Sequence, residues 1–180
     1  MSAVGPDEVP ALRATLTHVD AAGAARMVDV GSKPVTDRTA TASGRVDLSA
    51  ECVALLRGFE AGTGGVPKGD ALGVARVAGI MGAKRTPDLV PLCHPIGLSG
   101  VTVDLVVDDR GVAVTATART ADRTGVEMEA LTAVAVACLT LVDMTKAVDP
   151  RAVVGCIQVE TKTGGKTGDW ARETSPGTAR

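Results

Sequence analysis

Asp143 and Lys146 stand three residues apart, about 60° around a helix axis, so an acid and an amine can pair there or face one cavity and pass protons. The same spacing also describes an ordinary surface ion pair of little stability value. Glu127 and Glu129 open the apolar stretch that Asp143 and Lys146 close; carboxylates there complement a helix dipole and can also face a ligand. Lys68 sits in Gly62-Thr-Gly-Gly-Val-Pro-Lys68, a glycine-rich loop leading into a helix, where backbone amides and an ammonium attract phosphate; a solvated lysine is the plainer alternative. This is not a P-loop, because Pro67 stands in place of its glycine and Gly69 in place of its Ser or Thr. Thr161-Lys-Thr-Gly-Gly-Lys-Thr167 fails the same test, with Glu160 at the opening glycine and no helix pattern after Asp169. Lys162 and Lys166 still flank two glycines and could neutralise phosphate oxygens as point charges.

His94 follows Cys93 in Leu92-Cys-His-Pro95, held stiffly between prolines. No metal spacing surrounds it, and neighbours on an extended segment point to opposite sides, which argues against a Cys93–His94 nucleophile pair. On the residues alone His94 therefore reads more readily as a structural histidine than as a chemical one, and His18 reads as structural. The two ends of the long apolar stretch are more informative together. Glu129 and Asp143 are 14 residues apart, roughly 21 Å along a helix, too far for one small-molecule pocket. If both ends are functional, the simplest arrangement sets the glutamate end of one subunit near the Asp–Lys end of another.

Elements must position these groups. The 180 residues suit one domain, read as a loose tail over 1–14, a single catalytic domain over 15–170 and a second loose tail over 171–180. Met27–Val30 reads as a short strand and Arg38–Leu48 as another, with Ser49 capping a helix to Phe59. Asp70 caps a helix running to Lys84, and prolines at 87, 91 and 95 force an irregular connection. Leu98–Val107 and Val112–Ala121 form a hairpin about Asp108–Gly111, Glu127–Ala147 is the longest helix, and Val153–Thr161 the last strand. The result is an α+β, ferredoxin-like βαββαβ core with an antiparallel sheet and an N-terminal strand/helix extension. Helices cover one sheet face; N-terminal elements or another subunit are expected on the other.

Composition excludes several functions. Nineteen Lys and Arg against 21 Asp and Glu leave a net charge of -2, with one Phe, one Trp and no Tyr, so neither the charge nor the stacking platforms of a nucleic-acid binder are present. Charges at both ends of the apolar stretch prevent about 20 uncharged residues from accumulating, arguing against a membrane span. Cys52, Cys93, Cys138 and Cys156 have no close spacing, and Met1–Pro10 lacks a signal pattern, so reduced thiols in the cytoplasm are expected.

Taken in order, Leu16-Thr-His-Val-Asp20, Met27-Val-Asp-Val30, Lys68-Gly-Asp70, Ala75-Arg-Val-Ala-Gly-Ile80, Ala83-Lys-Arg-Thr86, Asp88-Leu-Val-Pro-Leu-Cys-His-Pro95, Thr124-Gly-Val-Glu-Met-Glu-Ala-Leu-Thr-Ala133, Asp143-Met-Thr-Lys-Ala147 and Gly164-Gly-Lys166 are highly specific. Over roughly residues 15–170 the chain resembles the cyclic pyranopterin monophosphate synthase (MoaC) family of molybdenum cofactor biosynthesis. The resemblance implies a lyase converting (8S)-3',8-cyclo-7,8-dihydroguanosine 5'-triphosphate to cyclic pyranopterin monophosphate with release of pyrophosphate. It implies Asp143, Lys146 and Lys68 as catalytic groups, and Leu92, Cys93, His94, Glu127, Met128, Glu129, Lys162 and Arg38 as substrate contacts. A homohexamer, a trimer of dimers with shared interface sites, is implied as well. No cofactor or protein metal site is expected, Mg²⁺ entering only on the triphosphate. Val142, Thr145 and Pro87 depart from the family's usual residues.

Overall fold

The computed structural model describes residues 23–166 and 168–173. The tail expected over 1–14, the Leu16–Asp20 motif with His18, and residues 174–180 lie outside them.

Strand β1 (Thr36–Asp47) is the centre of the sheet. It pairs along its full length with β3 (Gly111–Asp122) on one side and, from Thr39 to Asp47 with two register shifts, with β4 (Val153–Thr163) on the other. Strand β2 (Leu98–Asp108) lies outside β3, and the two-residue β5 (Trp170–Ala171) outside β4, giving the antiparallel order β2-β3-β1-β4-β5. Sequence order with this strand order is the expected ferredoxin-like arrangement. β5 is an addition, and it runs into the segment expected to be tail.

Period-two alternation decides which face is covered. Ala40, Ala42, Gly44 and Val46 of β1 are buried, whereas Thr41, Ser43, Arg45 and Asp47 between them are half-exposed. The second face is polar: Thr41 and Thr117 share a hydrogen bond at 2.9 Å, and Arg45 forks onto Asp108. No described element covers that face, and its polarity reduces the need.

Helix α1 (Ala50–Glu60) starts where the Ser49 hydroxyl accepts from Cys52 N, and α2 (Ala71–Ala83) where the Asp70 carboxylate accepts from Gly73 N. The short α3 (Thr86–Leu89) accommodates Pro87 in its first turn, where a missing N–H is harmless. Helix α4 (Glu127–Thr145) packs on β1, β3, β4 and α2, burying Val134, Ala137, Cys138 and Leu141. Its approach depends on small residues. A Cβ at Gly79 would lie 2.9 Å from Ala133 O, and one at Gly82 2.7 Å from Val136. At the β2–β3 turn, Gly111 has φ +143 and a Cβ there would meet Val46 O at 2.1 Å, so only glycine fits.

Met27–Val30 is not a strand. Its backbone is spent elsewhere, since the Val28 carbonyl accepts a hydrogen bond from His94. Among described residues the N-terminal extension contributes irregular backbone. Thr145 is buried and donates to Leu141 O at 2.7 Å, so this family departure is satisfied within α4. The four cysteines are free.

Candidate functional site

Two clusters form at opposite ends of α4. At its C-terminal end, Asp143 receives Lys146 Nζ at 2.7 Å on one carboxylate oxygen and Lys68 Nζ at 2.6 Å on the other. Lys146 comes from the adjoining turn; Lys68 arrives on the loop before α2. Asp70 already caps α2 with a carboxylate, so the loop offers its lysine rather than a vacant helix terminus. Hydrogen bonds from Lys146 and then Lys68 pull the Asp143 carboxyl down to about 2. Both lysines and the aspartate are about half-exposed, and they line neither of the two clefts at the other end of α4.

The second cluster is concave. Val28, Leu92, Cys93, His94, Met128 and Glu129 line a cleft of about 360 Å³. Because a carbonyl can only accept, the His94 Nε2–H donates to Val28 O at 2.7 Å, which orients the ring and leaves Nδ1 as its second nitrogen. Glu129 is 3% exposed, and burial, reinforced by nearby Glu127, pushes its carboxyl up to about 7. Burial and the Glu129 charge also raise the Cys93 thiol, the opposite of what a thiolate nucleophile requires.

Lys33, Thr124, Gly125 and Glu127 continue into an adjoining cleft of about 270 Å³, where Arg38, Arg123, Lys162 and Lys166 converge. Glu127 pairs with Lys162 at 3.3 Å, joining the two clefts. Arg38 Nε donates to Asp122 O at 3.0 Å. Gly164 and Gly165 both have positive φ; a Cβ on the first would meet Asp37 O at 2.2 Å, and one on the second the Arg38 guanidinium. The glycine pair thus folds tightly over the start of β1 and brings Lys166 to the cleft.

Every anticipated site residue falls into one of these clusters: Asp143, Lys146 and Lys68 in the first; Leu92, Cys93, His94, Glu127, Met128, Glu129, Lys162 and Arg38 in the second. The chain alone does not bring the clusters together. Lys33 and Arg123 were not anticipated. Lys33 lies in the Gly31-Ser-Lys-Pro34 turn and Arg123 before Thr124-Gly125; basic residues beside glycine turns were the available signal. Among the described residues no three His, Cys, Asp or Glu side chains gather as a metal set.

This is a ferredoxin-like α+β protein whose concave site combines a buried carboxyl, an oriented imidazole and a cationic extension suited to phosphate. Residues 27–165 match the family described as the MoaC family, and the chain belongs to it. The family's enzymes serve molybdenum cofactor biosynthesis and process a nucleotide-derived substrate. The chain is 69% identical to the cyclic pyranopterin monophosphate synthase of Nocardioides sp., over 87% of this chain and 95% of that protein. It is 68% identical to the protein of that name from Streptomyces coelicolor, over 87% and 89% of the two chains. It is 58% identical to cyclic pyranopterin monophosphate synthase 2 of Mycobacterium tuberculosis, over 87% and 91%.

Proposed function

We propose that the chain converts cyclised dihydro-GTP into cyclic pyranopterin monophosphate and pyrophosphate. The observation that carries this reading is the division of labour along α4: a buried carboxyl and cationic cleft at one end, and a carboxylate held between two ammoniums at the other. Phosphate oxygens suit the Arg38–Lys162 cleft, and the ring system suits the more apolar pocket beside Met128, Glu129 and His94.

Lys146, oriented by Asp143, transfers protons while the reduced purine opens and rebuilds as a pterin; Lys68 is a second acid–base group or a phosphate clamp. Asp143 gives each lysine its own oxygen and so offsets repulsion between the two ammoniums. A substrate hydroxyl then attacks the α-phosphorus, and the cationic groups stabilise departing pyrophosphate, a step governed by positioning and electrostatics. The reading assigns no cofactor or protein-bound metal to these steps; Mg²⁺ would travel on the triphosphate. Because about 21 Å of helix separates the clusters, a complete site forms between subunits, consistent with a cytoplasmic homohexamer built from dimers.

Incubation of the purified protein with the cyclised GTP, followed by separate assay of pterin and pyrophosphate, tests the assignment. Equimolar release of both is expected. Tight binding without turnover would indicate a nucleotide-binding module, and a phosphohistidine at His94 would indicate phosphoryl transfer.

A further inference from the structure

Among the described residues, Lys33 is the only cationic side chain that lines both clefts. It borders the more apolar cleft of Val28, Met128 and Glu129 and also the cationic cleft of Arg38, Arg123, Lys162 and Lys166. Thr124, Gly125 and Glu127 belong to both walls as well, so these residues and Lys33 mark a seam. Glu127, the carboxylate at the seam, is engaged by Lys162 at 3.3 Å rather than by Lys33.

Neither sheet nor helix fixes Lys33. Residues 26–35 have no regular structure, and β1 begins only at Thr36. The Lys33 amide donates to Val30 O at 3.0 Å, a bond internal to the turn that leaves the turn as a whole free to pivot. The hold from outside is Arg123, 90 residues away, whose Nε–H donates to Lys33 O at 3.0 Å. Arg123 is set in its turn by its own amide, which donates to the Asp122 carboxylate at 2.6 Å where β3 ends. At the other end of the segment His94 holds Val28 O. The wall is thus pinned at two carbonyls by side chains from elsewhere in the fold. A carbonyl is neutral, so the bond at Lys33 anchors the backbone without cancelling the ammonium, as a carboxylate partner would.

We propose that Arg123 is a positioning residue of the reaction: by holding the Lys33 carbonyl it sets the Lys33 ammonium at the seam, against the phosphate nearest the ring system. This rests on the catalytic reading above, which puts the ring system in one cleft and phosphate in the other. The α-phosphate joins those two parts of the substrate, so it falls where the clefts meet. There the attacking hydroxyl oxygen bonds to the α-phosphorus, and the bond from that phosphorus to the bridging oxygen breaks. Its electron pair leaves with pyrophosphate, and the hydroxyl proton passes to the neutral Lys146 amine. Lys33 exchanges no proton; its charge offsets the negative charge that grows on the departing oxygen.

Arg123 also lines the cationic cleft, so direct contact with phosphate is the rival role, and side-chain geometry separates the two. Gln Nε2 stands at the chain position of Arg Nε and keeps a donor for Lys33 O without charge. Lys keeps the charge but has a methylene there, and Met keeps neither. Both Arg123 and Lys33 are exposed, so the fold tolerates these changes.

The test is single-turnover pyrophosphate release from the cyclised GTP, followed across protein concentrations so that rate at saturation and affinity are read separately. Arg123→Gln should stay within about threefold of the wild-type rate, whereas Arg123→Lys and Arg123→Met should lose about 10-fold or more at nearly unchanged affinity. Lys33→Met should lose about 100-fold, and adding Arg123→Met to it should cost no more. Amide hydrogen exchange over residues 28–35 should quicken in Arg123→Met and Arg123→Lys but not in Arg123→Gln.

Activity kept by Arg123→Lys and lost in Arg123→Gln would make Arg123 a direct phosphate contact and overturn the proposal. Multiplying losses in the double variant, a loss confined to affinity, or unchanged exchange in Arg123→Met would each overturn it too. A wild type that releases no pyrophosphate would instead sink the catalytic reading, and the proposal with it.

Discussion

Lys68 and Asp143, 75 residues apart in sequence, meet at 2.6 Å, and Lys146 takes the remaining oxygen of the same carboxylate at 2.7 Å. A loop lysine and a helix acid are thus held at one point only because α2 packs tightly along α4. Asp143→Asn keeps the shape but removes the charge that orients both amines. Product formation should fall by about 100-fold or more, the scale of positioned proton transfer, with little change in thermal stability because the pairs are exposed. Steady-state turnover read beside a thermal melt checks both parts; normal turnover would remove Asp143 from the mechanism.

Glu129 makes stability depend on pH. Its folded value of about 7 lies above the ordinary 4.5, so its contribution is intact below about pH 4.5 and is lost as pH rises through 7. The loss amounts to up to about 3 kcal/mol, less where a neighbouring chain brings an ammonium nearby. Glu129→Gln should match the wild type near pH 5 and exceed it at pH 8. Urea denaturation at the two pH values measures the difference, and equal slopes for the two proteins would show that Glu129 stays ionised at little cost.

Shared sites predict complementation. Glu129→Ala and Lys146→Ala should each be inactive alone, yet regain part of the activity when mixed and reassembled, since some interfaces then hold two intact halves. Native mass spectrometry establishes that the subunits have exchanged. Mixed assemblies with no recovered turnover would place the complete site within one chain.

The α2–α4 contact has no room for a methyl group at Gly79. A Cβ there would lie 2.9 Å from the Ala133 carbonyl oxygen and 3.2 Å from both Ala137 and Val103. A backbone atom cannot rotate away, so Gly79→Ala should overpack the contact by about 1–3 kcal/mol, against a helix-propensity gain of up to about 1 kcal/mol. A lower urea midpoint at unchanged m-value is expected.

Arg45 ties two strands on the polar sheet face. Its Nη atoms meet both Asp108 oxygens at 2.7 and 2.5 Å, and its Nε meets Asp47 at 2.6 Å. The Asp108 hydrogen bond holds the guanidinium above, and the Asp108 carboxyl below, their ordinary ranges. A lysine cannot reproduce the planar fork, so Arg45→Lys should cost about 1–2 kcal/mol, read from the same denaturation curves, with catalysis unaltered.

Much of this was legible along the chain because the signals are local. Ser49 and Asp70 cap the helices they precede, Gly111 marks the hairpin, and alternation along β1 separates its covered side from its polar one. Met27–Val30 was misread because a short apolar run does not reveal where its carbonyls go, and Val28 is engaged by a histidine 66 residues away. β5 escaped notice because two residues carry no period. Lys33 and Arg123 escaped because a cation's role depends on which other cations share its cleft.

The element order, the ferredoxin-like topology and the two sets of reactive groups at the ends of one helix are written along the chain, since these follow from periodicity, caps and residue identity at short range. It took the packed molecule to show that Glu129 is buried at the cleft wall, that Lys68 reaches Asp143 and that four basic side chains join Lys33 in lining one cleft. Burial and pairing between distant segments are properties of packing, and packing depends on every element at once.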